Sequence, residues 1–98
     1  MTYVTVKREK GKYDVCVRGH ATGSPECCAA LSALIYTLSG YLENDRAVRV
    51  LEKKLESGVF QTRFSGGARA RTVFKILAFG LYQLSRSFPA QMSFRGEI

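Results

Sequence analysis

The sequence predicts an α+β fold in which a single domain, residues 1–98, carries a mixed sheet packed with two helices in ββαββαβ order. Three observations point there. Short stretches alternate apolar and polar residues, two longer segments repeat apolar residues at three- and four-residue steps, and turn residues separate them. With 98 residues the chain is long enough for one hydrophobic core and too short for a second.

The first strand pair is a hairpin. Val4 and Val6 alternate with Thr5 and Lys7, and Tyr13, Val15 and Val17 alternate with Asp14, Cys16 and Arg18, on either side of Lys10-Gly11-Lys12. Cys16 falls on the face opposite the valines, packed under a helix or exposed, and reads as structural. The first helix opens on Ser24 as N-cap, Pro25 at the first helical position and Glu26 in the first turn. Along it Cys27, Leu31, Leu34, Ile35, Leu38, Tyr41 and Leu42 form one apolar stripe that asks for burial, while Ala29, Ala30 and Ala33 favour helix.

Asn44-Asp45 interrupts that pattern. A second strand pair is predicted at Ala47 to Leu55 and Val59 to Phe64, joined at Ser57-Gly58, with Phe60, Thr62 and Phe64 on one face. Gly66-Gly67 then leads into a helix over Arg69 to Ser87, its main apolar face marked by Val73, Phe74, Leu77, Leu81 and Leu84, and Phe88-Pro89 ends it. Ile76, Phe79 and Tyr82 widen this apolar surface. They fit either contact with another subunit or a helix buried between its sheet and the first helix. Met92 to Arg95 forms the last strand, with Met92 and Phe94 inward.

Composition narrows the function. No apolar run approaches the roughly 20 residues that span a bilayer, and Met1-Thr2-Tyr3-Val4 lacks a charged-then-apolar signal pattern, so a cytoplasmic protein without membrane contact is expected. Three cysteines, Cys27 and Cys28 adjacent, suit free thiols in a reducing compartment. The spacing of Cys16, His20, Cys27 and Cys28 lacks the paired ligands of a zinc site, so neither metal nor cofactor is expected. Fifteen basic against eight acidic side chains leave a net charge of +7, which favours an anionic or RNA-associated partner.

Chemistry concentrates in one place. The only histidine, His20, lies eight residues before Cys28, at the end of a strand, while Cys28 lies in the first turns of a helix. Unsatisfied N–H groups and the helix dipole favour a thiolate there, and imidazole is the usual base for such a nucleophile. Cys27 continues the centre of the apolar stripe, whereas Cys28 is rotated by about 100°, which makes Cys28 the better nucleophile. The residues alone leave a second reading open, in which both cysteines pack as small apolar groups and His20 is a turn residue.

At these residues the chain resembles the ribosomal-processing cysteine proteases, Prp, whose members carry a strand ending in Gly-His, a glycine-containing loop and a helix with an Asp-x-x-Cys-Ala-Ala-x-Ser-Ala pattern. Gly19-His20-Ala21 matches the first part and Cys28-Ala29-Ala30-Leu31-Ser32-Ala33 the last. The resemblance implies a cysteine endopeptidase with Cys28 as nucleophile, His20 as general base and N–H groups at the start of the first helix as oxyanion donors. Ser32 is read as packing. The implied substrate is an amino-terminal extension of a large-subunit ribosomal protein, or a phage structural protein, and the implied assembly is a homodimer.

Two departures stand out. The loop between His20 and Cys28 is shorter than the family's usual one, and Pro25 stands where the family has aspartate, leaving Glu26 and Asp14 as candidate auxiliary carboxylates. The competing function is a non-catalytic ribosome- or RNA-associated binding module, in which Arg63, Arg69, Arg71 and Lys75 would contact ribosomal RNA.

Overall fold

In the first, second and fourth strands the buried side chains fall on alternate positions, so one face of the sheet is buried and the other is left to solvent. The computed structural model describes residues 1–98 and has seven elements: β1 (Thr2–Glu9), β2 (Lys12–Arg18), α1 (Pro25–Asn44), β3 (Val48–Glu56), β4 (Val59–Gly66), α2 (Ala68–Ser87) and β5 (Met92–Gly96). The order is the ββαββαβ expected from sequence, and each predicted boundary lies within two residues of the observed one.

The strands form one mixed sheet in the order β3-β4-β2-β1-β5. Antiparallel pairs join β1 to β2, β2 to β4 and β3 to β4, and β5 adds to β1 in parallel. Because β2 runs against both its neighbours, the β1–β2 turn and the β3–β4 turn lie at opposite ends of the sheet. The β2 strand separates them by about 23 Å, seven residues at about 3.3 Å each.

Both helices cover the same face. Val4, Val6, Tyr13, Val15, Val17, Phe60 and Phe64 point into the core, where Cys27, Leu31, Leu38 and Leu42 of α1 and Phe74, Leu77 and Leu81 of α2 meet them. The Tyr13 ring lies between Phe64 and Phe74, with centroids 5.5 and 4.9 Å away. A Phe74→Ala change would remove a fully buried ring and cost about 3–5 kcal/mol. Cys16 is neither packed under a helix nor fully exposed: it is half-buried on the face that no helix covers.

Two stripe predictions need correction. Tyr41 is not part of the buried stripe: it is 40% exposed, and its hydroxyl donates to Asp45 at the end of α1. Ile76, Phe79 and Tyr82 are not buried between sheet and helix either; they are 64%, 52% and 40% exposed, with Tyr82 meeting Phe94 edge to face. In β3 a bulge between Val50 and Glu52 leaves Leu51 as an extra residue. Beyond it Lys53 shares the helix side of the sheet with Thr62 and forms an ion pair with Glu43 of α1. No helix is long and apolar enough to cross a membrane.

Candidate active site

Where β2 ends, Gly19 takes a positive φ of 93°. A Cβ there would stand 2.3 Å from the Met1 carbonyl oxygen, so only glycine lets the chain leave the strand this close to the start of β1. The Gly19 N–H donates to the Gly58 carbonyl at 2.8 Å, tying the exit of β2 to the β3–β4 turn. His20 follows directly and lays its ring over Gly58: a Cβ on Gly58 would be 2.8 Å from His20 Nε2 and 3.4 Å from its neighbouring ring carbons. The imidazole thus rests on bare backbone.

Across from it α1 begins. Ser24 is the N-cap, its Oγ accepting from the Cys27 N–H at 3.1 Å, while the Cys28 N–H donates to the Ser24 carbonyl, also at 3.1 Å. Pro25 has no N–H to place. The expectation that the first-turn N–H groups stand ready as oxyanion donors therefore changes: those of Cys27 and Cys28 are engaged, which leaves Glu26 as the open donor of that turn.

The two adjacent cysteines differ as their helical positions dictate. Cys27 is fully buried, and desolvation, with the neighbouring Cys28 adding to it, pushes its thiol above the ordinary value. Cys28 is exposed. One turn on, Leu31 and Ser32 follow Cys28, and then Ile35 and Tyr36, so positions i, i+3, i+4, i+7 and i+8 present one continuous face.

That face is one wall of a cleft of about 230 Å³, and the opposite wall is built by Gly19, His20, Ala21 and the β3–β4 turn from Leu55 to Phe60. Cys28 and His20 line it together, and no hydrogen bond joins them in the free protein. Nine of its fifteen lining residues are hydrophobic, and Glu56 is its one carboxylate. Ser32, read from sequence as packing, borders the open space beside Cys28.

The other predicted carboxylates lie elsewhere. Glu26 faces the Ser24 hydroxyl, which donates to it at 3.4 Å, and does not line the cleft. Asp14 lies on the open sheet face at the far end of β2, between Lys7 and Arg63 of the neighbouring strands. Burial pushes its carboxyl up, opposed by Arg63 and then Lys7. Sequence reasoning missed Gly58, Glu56 and Tyr36. A Cys28, Ser32, Tyr36 spacing of four was the available signal for one of them, while the turn residues join the site only through strand pairing.

Nor do Arg63, Arg69, Arg71 and Lys75 form one free patch. Arg63 pairs with Glu52 at 3.7 Å on the open face, Arg69 pairs with Asp45 at 3.1 Å, Arg71 borders the β1–β2 turn, and Lys75 stands a turn further along α2.

Comparison with known proteins fits this architecture. No curated protein matches the sequence. Among solved structures, the essential ribosomal processing protease Prp from S. aureus, in complex with a covalently linked product peptide, superimposes with a TM-score of 0.83 at 18% identity, covering 99% of this chain and all of that one. SMU.848 from Streptococcus mutans matches with a TM-score of 0.74 at 24% identity, over 98% of this chain and 93% of that one. At such identities the likeness speaks for the fold. The family model described as cysteine protease Prp matches residues 1–93, nearly the whole length, and the chain belongs to that family.

Proposed function

We propose that the cleft is the active site of an endopeptidase in which Cys28 is the nucleophile and His20 the general base, acting on an amino-terminal extension of a large-subunit ribosomal protein in the cytoplasm. One observation carries this reading: the exposed thiol of the first α1 turns and the only imidazole of the chain line the same small cleft, while the adjacent thiol is sealed in the core. A ribosomal substrate is supported by the S. aureus relative, which is named a ribosomal processing protease, and the amino-terminal extension is what the family resemblance implies. A phage structural protein fits the same chemistry.

An extended peptide entering the cleft brings its carbonyl carbon to Cys28 Sγ. His20 accepts the thiol proton as the S–C bond forms, then delivers it to the leaving amine as the C–N bond breaks. Water attacks the resulting thioester, its proton passing through His20 to the departing thiol, and the carboxylic acid product leaves. Leu31, Ile35, Leu55 and Phe60 give the wall an apolar character that favours an apolar side chain beside the scissile bond. The two groups share the cleft before a peptide arrives, and its binding shortens the contact between thiol and imidazole.

The test is cleavage of a peptide library, new termini being mapped by mass spectrometry. Cys28→Ala should lose activity by about three orders of magnitude or more and His20→Ala by about 10²–10⁴-fold. Cys27→Ala, changing a buried group outside the cleft, should retain activity within a fewfold. Full activity in Cys28→Ala would end the proposal. The exposed Ile76, Phe79 and Tyr82 suit a homodimer, which light scattering at high concentration would reveal as twice the monomer mass.

A further inference from the structure

Four of the fifteen basic side chains form ion pairs: Lys53, Lys54, Arg63 and Arg69. The free ones are unevenly spread. Lys7, Arg8, Lys10 and Lys12 crowd into the end of β1, the turn and the start of β2. With Arg63 and Asp14 they line a groove of about 610 Å³, and a second hollow of about 290 Å³ shares Arg8 and Lys10 and extends to Arg71 at the start of α2. With Glu52 paired to Arg63, six cations against Glu9, Asp14 and Glu52 leave +3 of the molecule's +7 at this end.

Two features say what kind of partner suits it. Tyr13 is the one hydrophobic residue lining either hollow, and its ring is buried against Phe64 and Phe74. A protein partner would find no apolar centre here, whereas a phosphate backbone needs only cations. Lys10 is also the one non-glycine residue of the chain at positive φ, 47°. That conformation is one glycine would adopt without strain, and it holds a lysine at the tip between the two hollows.

We infer that the β1–β2 end is a docking surface for the phosphate backbone of an RNA, separate from the cleft at the opposite end of the sheet. The inference goes beyond the proposed peptidase function and does not rest on it. About 23 Å of β2 lies between the two ends, more than twice the screening length of roughly 8 Å at physiological salt. RNA held at one end therefore leaves the cleft open to a peptide at the other.

The experiment is fluorescence anisotropy of a labelled RNA stem-loop with the full chain, titrated at several salt concentrations. Lys10→Gln/Lys12→Gln/Arg71→Gln should weaken binding by about tenfold or more at low salt and lower the log–log salt slope by about two to three. Arg18→Gln/Arg86→Gln/Arg95→Gln, an equal charge loss at exposed sites away from the groove, should change affinity less than about twofold. Equal weakening by both triples would overturn the inference by showing that net charge alone is read. So would labelled polyglutamate binding as tightly as RNA, or RNA failing to bind at low salt.

Discussion

The two hairpin turns of this sheet differ at their first residue, Lys10 at positive φ and Ser57 not, but share a glycine at the second, and they are used differently. Each carries a glycine at nearly the same positive φ, 77° at Gly11 and 73° at Gly58, and each offers that glycine's carbonyl to a glycine N–H on another segment, Gly66 at 3.2 Å and Gly19 at 2.8 Å. The difference lies in what stands above. A Cβ on Gly11 would meet only the Gly66 carbonyl at 3.5 Å, an ordinary contact, whereas a Cβ on Gly58 would stand 2.8 Å from His20 Nε2. At the β1–β2 turn glycine serves the chain's path. At the β3–β4 turn it also serves as the floor on which the candidate base rests.

A matched pair of substitutions separates these roles and carries the largest expected contrast. Gly11→Ala and Gly58→Ala should each cost about 1–2 kcal/mol in stability, since both force a side chain into the left-handed region. Only Gly58→Ala should also cut kcat/KM, by about tenfold to a hundredfold, because the imidazole must move off its floor. Equal activity in the two variants, measured on a cleaved library peptide, would remove Gly58 from the site.

The next contrast is electrostatic. Glu56 is the only carboxylate lining the cleft, while the other end is rich in cations. Glu56→Lys should lower kcat/KM about three- to tenfold for a peptide with lysine beside the scissile bond relative to its norleucine analogue, consistent with an exposed charge pair of about 1 kcal/mol. Lys10→Gln/Lys12→Gln/Arg71→Gln should leave hydrolysis of an uncharged peptide within about twofold.

The smallest effect concerns how the cation-rich end is closed. Asp45 accepts from the Tyr41 hydroxyl, from the Ala47 N–H at 2.9 Å and from Arg69 at 3.1 Å, joining the end of α1 to the start of α2. The Tyr41 bond first, then the Ala47 and Arg69 bonds, hold the Asp45 carboxyl below its ordinary value of 3.8. Its stabilisation is therefore complete above that value and fades as pH falls through the lower folded-state value. Thermal melts should show Asp45→Asn less stable than the native chain at neutral pH, with the gap narrowing as pH drops below 3.8. A gap that widens in acid would contradict this.

Legibility from sequence followed the range of the interactions. Periodicity within each segment specified the seven elements, the buried face of the first hairpin and the different fates of Cys27 and Cys28, because these depend on neighbours a few residues away. The Gly-His and Cys-Ala-Ala motifs pointed to His20 and Cys28 through the family resemblance they carry. What brings the two together is not local. Gly58 reaches His20 only because β4 pairs with β2 and β3 with β4, and no spacing in the chain announces that contact. Tyr41 misled as an apolar residue in register because its hydroxyl found Asp45 four positions on. Arg63, Arg69 and Arg71 looked like one free patch, but Arg63 pairs with Glu52 and Arg69 with Asp45, which leaves Arg71 beside the β1–β2 turn.

The most direct test of the central claim, that Cys28 and His20 act as a pair across the cleft, is the rate of iodoacetamide labelling at neutral pH, mapped by mass spectrometry to each cysteine in the native chain and in His20→Ala. Cys28 should label fast, half-buried Cys16 slowly and Cys27 almost not at all, with loss of His20 slowing Cys28 about tenfold and leaving Cys16 unchanged. A Cys28 rate indifferent to His20 would contradict the pairing.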